Sequence, residues 1–180
     1  MAQVNQQDWI AAGLNQLRNE GPMAISGEKL ARRLDVTRGS FYHHFRSMDD
    51  YVEKLMDEWE STHTLDPLQQ VHASAKDAAA EMSLLLEVAW NADADLEIAV
   101  RQWAFSNDRV RQGVEKVDAT RLDHLRHLYG KLVGDTEKGN KFALIAYYGL
   151  LGAMHAWPRH GRDELRRLIL EIQALLLTEL

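Results

Sequence analysis

Residues 26–45 read SGEKLARRLDVTRGSFYHHF, and this stretch decides the expected fold. Apolar residues at helical spacing predict two short amphipathic helices on either side of a tight joint at Asp35-Val36. Six side chains of the second helix can form hydrogen bonds: Thr37, Arg38, Ser40, Tyr42, His43 and His44. So many polar groups in one short element do not fit a core helix. The pattern favours a helix-turn-helix whose second helix enters the major groove of DNA.

Within that second helix, core and contact residues separate by angle. At about 100° per residue, Phe41 and Phe45 lie close together, while Arg38 and Tyr42 spread over a different arc. We expect the two phenylalanines to pack on the preceding helices and Arg38 to suit phosphate or guanine. Gly39 costs a helix interior about 1 kcal/mol relative to alanine. Close approach of its backbone to DNA, or to the preceding helix, would explain it. A solvated polar face remains the alternative.

Composition limits the class of protein. The chain has 180 residues, 46% of them hydrophobic, and no cysteine, which excludes disulfides, thiolate metal sites and cysteine nucleophiles. No secretory signal opens the sequence, and no uncharged apolar stretch approaches the roughly 20 residues that span a bilayer. No nucleophile elbow, P-loop or dinucleotide fingerprint is present. We therefore expect a cytoplasmic protein that is not an enzyme, binds no cofactor and does not contact a membrane.

The distribution of charge matters more than the formal net charge of −6. Residues 1–56 carry seven basic and seven acidic groups, so the remainder of the chain holds the whole negative charge. Within residues 21–46, five basic residues face two acidic ones, a local charge of +3. Exposed charges are screened beyond about 8 Å at physiological ionic strength, so this local patch is compatible with DNA binding.

The rest of the chain also has helical spacing, with three prolines in all, and predicts an all-α protein. We expect about nine helices. The third follows Thr37 and contains Phe41 and Phe45, and the others lie near Gln6 to Glu20, Gly27 to Leu34, Met48 to Thr62, Leu68 to Trp90, Asp95 to Ser106, Asp108 to Val133, Glu137 to Ala156 and Arg162 to Leu180. Ser26, Thr37, Ser47, Asp108 and Thr136 are the predicted caps. Pro67, within a loop HTLDP, is taken to mark a boundary between a small head and a larger body.

Two pairs of polar side chains in the body could either bind a ligand or serve only the structure. His124 and His127 lie three residues apart on one helix and could form the edge of a metal site, but no third ligand is evident, so no metal is predicted. Glu97 and Arg101, four residues apart, could clamp a polar ligand or form a surface ion pair worth a few tenths of a kcal/mol.

The segment from about Gln6 to Glu58 resembles the DNA-binding domain of the TetR family of bacterial transcriptional repressors. The resemblance rests on residues 36–45, VTRGSFYHHF, which fit the family's pattern of a turn, a Ser or Thr, a small residue, an aromatic residue and then Tyr-x-His-Phe. It implies that residues 1–62 form a DNA-binding domain with the fourth helix as connector. Many relatives begin that helix with a phosphate-binding lysine, where this chain has Met48.

The resemblance implies a set of DNA contacts on the two helices. Arg38, Ser40, Tyr42 and His43 would face the groove, and Thr37 and His44 would contact phosphate. Gly39 is counted among the DNA-binding residues because its backbone could approach the DNA closely. Ser26 would anchor the start of the second helix, and Lys29 would add to the electrostatic attraction, together with Arg32, Arg33 and Arg46. The partner would be a double-stranded, pseudo-palindromic operator.

The resemblance further implies that residues 63–180 bind a small effector and form a homodimer through the last two helices. The predicted dimer interface contains small and apolar residues: Gly149, Gly152, Ala153, Ala156, Leu165, Leu168, Ile169, Ile172 and Leu176. The pocket for this unidentified small-molecule effector would be lined by aromatic and other side chains: Met82, Trp90, Trp103, Phe105, Tyr147, Tyr148, Met154, His155 and Trp157. For both sets an ordinary intrachain core is the alternative. A helical ligand-binding or protein-interaction module that has lost DNA binding is the alternative function.

Overall fold

The structure is a computed structural model that describes residues 4–178, and over those residues it is all-α. The α-helices are α1 (Gln6–Glu20), α2 (Gly27–Arg33), α3 (Arg38–His44), α4 (Met48–Glu60), α5 (Asp66–Ser74), α6 (Ala78–Asn91), α7 (Ala94–Ala104), α8 (Asp108–Val133), α9 (Thr136–His155) and α10 (Arg162–Thr178). A 3-10 turn at Pro22–Ala24 follows α1, and a π-helical turn at Ser61–Leu65 lies between α4 and α5. The predicted fold class is confirmed. The predicted end of the last helix, Leu180, lies outside the described residues.

The segment expected to be a loop is helical. The π-helical turn at Ser61–Leu65 leads directly into α5, with Pro67 in the first turn of that helix. The break comes later, at residues 75–77, where Asp77 Oδ1 accepts a hydrogen bond from the Ala80 amide at 2.8 Å. The prediction of one helix from Leu68 to Trp90 is therefore wrong. A proline in the first turn of a helix does not have to end the rod, and a capping aspartate starts a new one.

Two predicted caps are each displaced by one residue. Asn107, not Asp108, caps α8, because its Oδ1 accepts hydrogen bonds from the amides of Arg109 and Val110. Asp135, not Thr136, caps α9 and accepts from the Lys138 amide at 3.0 Å. In each case the side chain that lies just before the helix reaches the unpaired amides of the first turn.

The chain divides into two compact units. The first unit contains the residues up to Thr62 together with Asp93–Lys116, so α7 and the start of α8 belong with α1–α4. Its centre is aromatic: Trp9, Phe41, Phe45, Tyr51 and Trp59 are each at most 1% exposed. Helix α7 packs along α1, and Arg18 of α1 forms an ion pair at 3.0 Å with Asp93, the N-cap of α7.

The second unit contains His63–Ala92 and the residues from Val117 onward. Its core brings together α6, α8, α9 and α10 around Met82, Leu128, Tyr129, Phe142, Ala143 and Leu176. Helices α8 and α9 cross very closely, since a Cβ on Gly139 would lie 2.6 Å from the backbone nitrogen of Gly130. Tyr129 donates a buried hydrogen bond to Gln173 of α10. Over residues 4–178, none of the helices has the length and apolar content needed to cross a membrane.

Candidate nucleic-acid interface

The joint between α2 and α3 is tight, as predicted. Asp35 adopts a left-handed backbone conformation with φ of 54°, which aspartate tolerates better than most residues. The amide of Val36 donates to the Ala31 carbonyl at 3.0 Å and closes the end of α2. Ser26 caps the start of α2, with its Oγ accepting from the Lys29 amide at 3.3 Å. The two helices therefore form the predicted helix-turn-helix.

Helix α3 is held in place by the aromatic centre of the first unit. Phe41 contacts Trp9 edge-to-face, with ring centroids 5.4 Å apart. Phe45 meets Tyr51 of α4 in the same geometry at 4.9 Å. Such edge-to-face pairs add to the free energy gained by burying the rings. The inward face of α3 is therefore fixed to both α1 and α4.

The residues predicted to contact DNA remain on the outward side of α3. Thr37, Arg38, Gly39, Tyr42 and His43 are exposed, and Ser40 and His44 are half-buried. The Tyr42 side chain is half exposed although its ring contacts Phe41, so its hydroxyl group projects from a fixed ring. Thr37 occupies the N-cap position, but within the described chain its side chain caps no amide. Its hydroxyl group is thus left available for a ligand.

Arg38 is one of two basic residues in positions 4–62 without a carboxylate partner among the described residues. Five of the other basic residues lie within ion-pair distance of a carboxylate: Arg18 with Asp93, Arg32 with Glu28, Arg33 with Glu20, and Arg46 and Lys54 with Asp50. Lys29 Nζ donates to the Met23 carbonyl at 2.9 Å. In the described part of the chain no carboxylate neutralises Lys29 or Arg38. Of these two, Arg38 lies on the helix predicted to enter the groove.

The glycine in this helix has room around it. A Cβ on Gly39 would meet only Thr37 Oγ1, at an ordinary 3.6 Å. Packing against the preceding helix is therefore not the reason for a glycine at this position, and that explanation is wrong. Close approach of the Gly39 backbone to DNA stays a prediction.

Two polar contacts that the sequence pattern did not reveal fix the ends of α3. Gln6 of α1 donates through Nε2 to the His44 carbonyl at 3.1 Å. After α3, the Arg46 amide donates to Asp50 Oδ2 at 2.8 Å, and this bond, aided by the Arg46 guanidinium, holds the pKa of Asp50 below its ordinary value. Both contacts join residues distant in sequence or separated by a turn, so helical periodicity contains no signal for them.

The predicted effector residues are divided between the two units. Trp103, which is buried, and Phe105, which is exposed, belong to the first unit. In the second unit Met82, Tyr147 and Met154 are buried, Trp90 is half-buried, and Tyr148, His155 and Trp157 are exposed. Tyr147 donates to Asp118 Oδ1 at 2.6 Å, and the Arg166 guanidinium lies over the Trp90 ring. The buried members are thus engaged in packing or hydrogen bonding.

A solvent-open groove of about 350 Å³ lies elsewhere in the second unit, between α5 and α6. It is lined by Pro67, Gln70, Val71, Ser74, Leu84, Glu87, Val88 and Asn91. None of the predicted effector residues lines it. An apolar wall with a few amide and carboxylate groups is common in small-molecule sites. The prediction of the effector site relied on aromatic residues, and none of them lines this groove.

In both pairs of polar side chains noted in the sequence, one basic side chain lies close to a glutamate. Arg101 Nη2 lies 2.7 Å from Glu97 Oε1, and both side chains are largely buried, so the expectation of a surface pair is wrong. His124 Nε2 lies 3.4 Å from Glu81 Oε1 on α6 rather than beside His127. No group of three or more His, Asp or Glu side chains among residues 4–178 is arranged to hold a metal ion.

The residues predicted to form the dimer interface differ in their exposure within one protomer. Ala153, Leu165, Ile169 and Leu176 are buried within the protomer, Gly149, Ala156, Leu168 and Ile172 are half-buried, and Gly152 is exposed. A Cβ on Gly149 would lie 3.1 Å from Ile172 Cδ1, so this glycine permits α9 and α10 of one chain to approach each other. Large apolar side chains outside the predicted set are exposed on the same helices: Ile145, Tyr148, Leu170 and Leu175.

Comparison with known proteins agrees with this architecture. Residues 10–55 match the family described as bacterial regulatory proteins, tetR family. A transcriptional regulator from Rhodococcus sp. Rha1 is similar in structure with a TM-score of 0.81 and 16% identity, covering 98% of this chain and 97% of that chain. A TetR-family regulator from Streptomyces coelicolor has a TM-score of 0.80 and 14% identity over 94% and 93% of the two chains.

A TetR transcription regulator from Haloarcula marismortui is also similar, with a TM-score of 0.79 and 15% identity over 96% of each chain. No curated protein is significantly similar in sequence. The structural likeness extends over nearly the whole chain, whereas the sequence match covers the helix-turn-helix segment that the motif at residues 36–45 had indicated. Residues 10–55 are therefore similar to the tetR family of bacterial regulatory proteins, and the chain as a whole has the same fold as these solved regulators.

Proposed function

We propose that the protein is a sequence-specific transcriptional repressor that binds a pseudo-palindromic operator as a homodimer and responds to a small molecule. The observation that supports DNA binding most directly is Arg38, an exposed cation without a carboxylate partner in the described chain, on a helix fixed by Phe41 and Phe45. A fixed scaffold with an unneutralised guanidinium suits base and phosphate recognition. As a regulator of this kind it would act in the cytoplasm, without enzymatic activity or cofactor.

Each outward residue has a role that fits its chemistry. Arg38 can donate two parallel hydrogen bonds to guanine O6 and N7. The Tyr42 hydroxyl group and the His43 ring suit phosphate or base edges, and Thr37 can donate to a phosphate. Gly39 would let the backbone approach the DNA. These assignments distinguish residues that read bases from those that only position the helix.

Dimerisation is supported by an exposed stripe on α9. Ile145, Tyr148 and Gly152 follow one another at spacings of three and four residues, and all are exposed in the protomer. Leu175 on α10 is exposed as well. Pairing of these two helices with their symmetry mates would form a four-helix interface. A dimer would place two α3 helices in successive major grooves, about 34–36 Å apart.

The groove between α5 and α6 is the candidate site for a small molecule. Its apolar and polar lining suits an uncharged or cationic amphipathic compound, because Glu87 is its charged group. A ligand regulates DNA binding only if its affinity differs between the binding and non-binding conformations. The expected signature is therefore a ligand that both raises the unfolding temperature and changes operator affinity.

The decisive experiment is a gel-shift titration with genomic fragments bound by the wild-type protein. Arg38→Ala should weaken operator binding about tenfold or more, because a bidentate guanine contact is worth about 1–3 kcal/mol. Arg111→Ala is the matched control, since Arg111 is an exposed arginine paired with Asp108 and Glu115 on α8. Equal binding by the Arg38 variant and the wild type at matched salt would contradict the assignment of α3.

The alternative module without DNA binding gives a different result. Specific binding to DNA weakens steeply with rising salt, because neutralised phosphates release counterions. If no genomic fragment shifts even at low salt, the protein is a ligand-binding or interaction module rather than a repressor. The acidic net charge and Met48, which stands where many relatives have a lysine, are the features that make this test necessary.

A further inference from the structure

The first turns of α8 contact one side of α4, and these contacts lie within the first unit. Arg109 Nη2 lies 3.3 Å from Asp49 Oδ2 at the start of α4. Lys116 Nζ lies 2.6 Å from Glu60 Oε2 at its end. The partners follow the same order along both helices, so the two helices run in broadly the same direction. Residues 108–116 therefore accompany α4 from its first turn to its last.

Between the two ion pairs, the helices approach closely at Gly113. A Cβ at this position would lie 2.8 Å from Met56 Cε and 3.3 Å from Met56 Cβ. The Cε atom ends a flexible side chain and can move aside, whereas the Cβ atom is fixed to the backbone of α4. Met56 is 5% exposed, so the contact is closed to solvent. A large residue at position 113 would therefore push α4 and α8 apart.

The opposite side of α4 holds the recognition helix. At about 100° per residue, the three α4 residues that face α8 fall within roughly 40° of one another, and Tyr51 lies about 160° away from Asp49. The Tyr51 ring contacts Phe41 and Phe45 at centroid distances of 5.4 and 4.9 Å. Its hydroxyl group donates to the Trp9 carbonyl at 3.0 Å. Helix α4 thus lies between α8 on one side and α1 and α3 on the other.

The two ion pairs differ in burial. Glu60 is 7% exposed, and its hydrogen bond with Lys116 raises the pKa of that lysine, with the charge of Asp57 adding to the effect. A buried carboxylate that loses its partner is strongly destabilised, so this pair opposes sliding of α4 along α8. Arg109 and Asp49 are both largely exposed and contribute less. Spacing is therefore set at Gly113, and the position along the helix axis is set at Lys116.

We propose that residues 108–116 brace α4, and that Gly113 and Lys116 are positioning residues for DNA binding. Gly113 sets the distance between α4 and α8, and Lys116 sets the position of α4 along its own axis. Through Tyr51, both determine where α3 is held. This inference rests on the proposed function, because operator affinity is its main readout. It extends the DNA-binding module beyond residues 1–62 to a second segment of the chain, which itself makes no DNA contact.

The first test moves bulk from α4 to α8. Gly113→Leu should displace α4 and lower operator affinity about tenfold or more, the order of one lost base contact. Adding Met56→Ala empties the space that the new side chain needs and nearly conserves the volume of the contact, an exchange that cores tolerate well. Affinity should then return close to that of the wild type. Gel shifts at a temperature at which every variant is folded measure both steps.

Gln112→Leu is the matched control, since Gln112 is the exposed neighbour of Gly113 on the same helix. It should leave operator affinity unchanged. A merely structural role would lower the unfolding temperature of Gly113→Leu but leave the affinity of the folded variant intact, and that result would overturn the proposal. Loss of affinity that persists after Met56→Ala is added, in a protein that unfolds cooperatively, would overturn it as well.

The second test exchanges charge and decides the proposal if Gly113→Leu does not fold. Lys116→Glu places a second carboxylate beside Glu60 and should lower operator affinity, and the exchange Glu60→Lys, Lys116→Glu should restore it. Because most of the Lys116 side chain is exposed, the fold should withstand the change. Arg111→Glu alters the net charge equally but breaks pairs only within α8, so affinity should stay near that of the wild type. Full affinity in Lys116→Glu contradicts the proposal.

A distance between spin labels separates this inference from the proposed function. The chain has no cysteine, so Glu53→Cys on α4 and Gln112→Cys on α8, both at exposed positions of the first unit, can be labelled selectively. The distance between the labels should increase with Gly113→Leu and return when Met56→Ala is added. An unchanged distance in a folded Gly113→Leu variant overturns the inference whatever happens to DNA binding. A wild-type protein that binds no DNA contradicts the proposed function, and the label distance then decides the inference alone.

Discussion

The aromatic centre of the first unit and the α9–α10 pair of the second differ in how completely they cover their apolar side chains. Around α3, five aromatic residues are each at most 1% exposed. On α9 and α10, Ile145 is 54%, Tyr148 57% and Leu175 69% exposed. The first region is complete within one chain, whereas the second leaves large apolar groups in solvent. Contiguous exposed apolar surface is typical of an interaction site.

The difference shows what helical periodicity measures. Both regions have apolar residues at spacings of three and four, so their sequence patterns are alike. Periodicity identifies the apolar face of a helix but contains no information on whether the same chain covers it. That depends on which helices meet in space, which is a property of the tertiary fold.

The most damaging change should be Gly13→Ala in the complete region. A Cβ at this position would lie 1.8 Å from the Tyr51 hydroxyl oxygen, which donates to the Trp9 carbonyl at 3.0 Å. Burial raises the pKa of Tyr51 well above its ordinary value, so the group stays protonated and keeps this hydrogen bond. Displacing its ring should lower the free energy of unfolding by about 3 kcal/mol, the upper end for overpacked cores. Thermal unfolding measures this loss.

Gly130→Ala is the control for that change, because nothing lies within 4 Å of the added Cβ. Gly130 lies in the last turn of α8, where an alanine should stabilise the protein by no more than about 1 kcal/mol. Equal unfolding temperatures for the two variants would mean that the region around Tyr51 is less tightly packed than its contacts indicate. The aromatic centre of the first unit would then not be fully packed within one chain.

The next largest effect should come from Tyr148→Glu in the incomplete region. If α9 and α10 pair with a second copy, the carboxylate would be buried without a partner, and the dimer should weaken by roughly 2 kcal/mol, or about 30-fold in dissociation constant. Sedimentation over a range of concentrations measures this directly. Phe105→Glu is the control, because Phe105 is exposed but lies in the first unit. A dimer that withstands the Tyr148 change would place the interface elsewhere.

The sequence predicts local features of the fold well and contacts between distant segments poorly. The joint at Asp35-Val36, the cap at Ser26 and the inward position of Phe41 follow from local propensity and spacing, and the structure has all three. The packing of Asp93–Lys116 with α1 and α4 joins segments far apart in the chain, and no short pattern announces it. Arg121, which donates to the His63 carbonyl in the π-helical turn, makes a contact of the same kind.

The same distinction between local features and contacts with other residues holds for the candidate site. The exposed positions on α3 could be predicted because a short helix with two buried phenylalanines leaves few places for its polar residues. That Arg38 lacks a carboxylate partner depends on where Glu20, Glu28 and Asp50 direct their side chains. Glu28 and Asp50 each pair with an arginine four residues away, whereas Glu20 pairs with an arginine of another helix. Composition indicated a local positive charge but not that Lys29 and Arg38 would be the cations without a carboxylate partner among the described residues.

Gly39→Ala should have two smaller effects, a gain in stability and a loss of operator affinity. The added Cβ meets only Thr37 Oγ1 at 3.6 Å, so the helix should gain up to about 1 kcal/mol of stability from the better helix former. If the α3 backbone approaches DNA closely, the same methyl group should weaken operator binding. Thermal unfolding and gel shift on one sample separate the two effects. A variant that gains stability and keeps full affinity would remove Gly39 from the interface.

The smallest expected effect concerns the second unit and pH. His124 Nε2 is buried and has no hydrogen-bond partner among the described residues. Burial lowers the pKa of His124, opposed by the charge of Glu81 and reinforced by those of His127, His72 and Lys131. The unfolded chain, with an ordinary value near 6.5, then binds the proton more readily than the folded one. Stability from this residue is present above about pH 6.5 and is lost as the pH falls through the lower folded value.

The unfolding temperature should therefore decrease as the pH falls below about 6.5, and His124→Gln should make that decrease shallower. His155→Gln is the control, since His155 is exposed on α9. Because the aromatic centre of the first unit contains no histidine at its buried positions, the acid-induced loss should appear first in amide exchange from α6 and α8 beyond residue 117. Loss that begins instead in α1 or α4 would show that the sealed region is the less stable of the two.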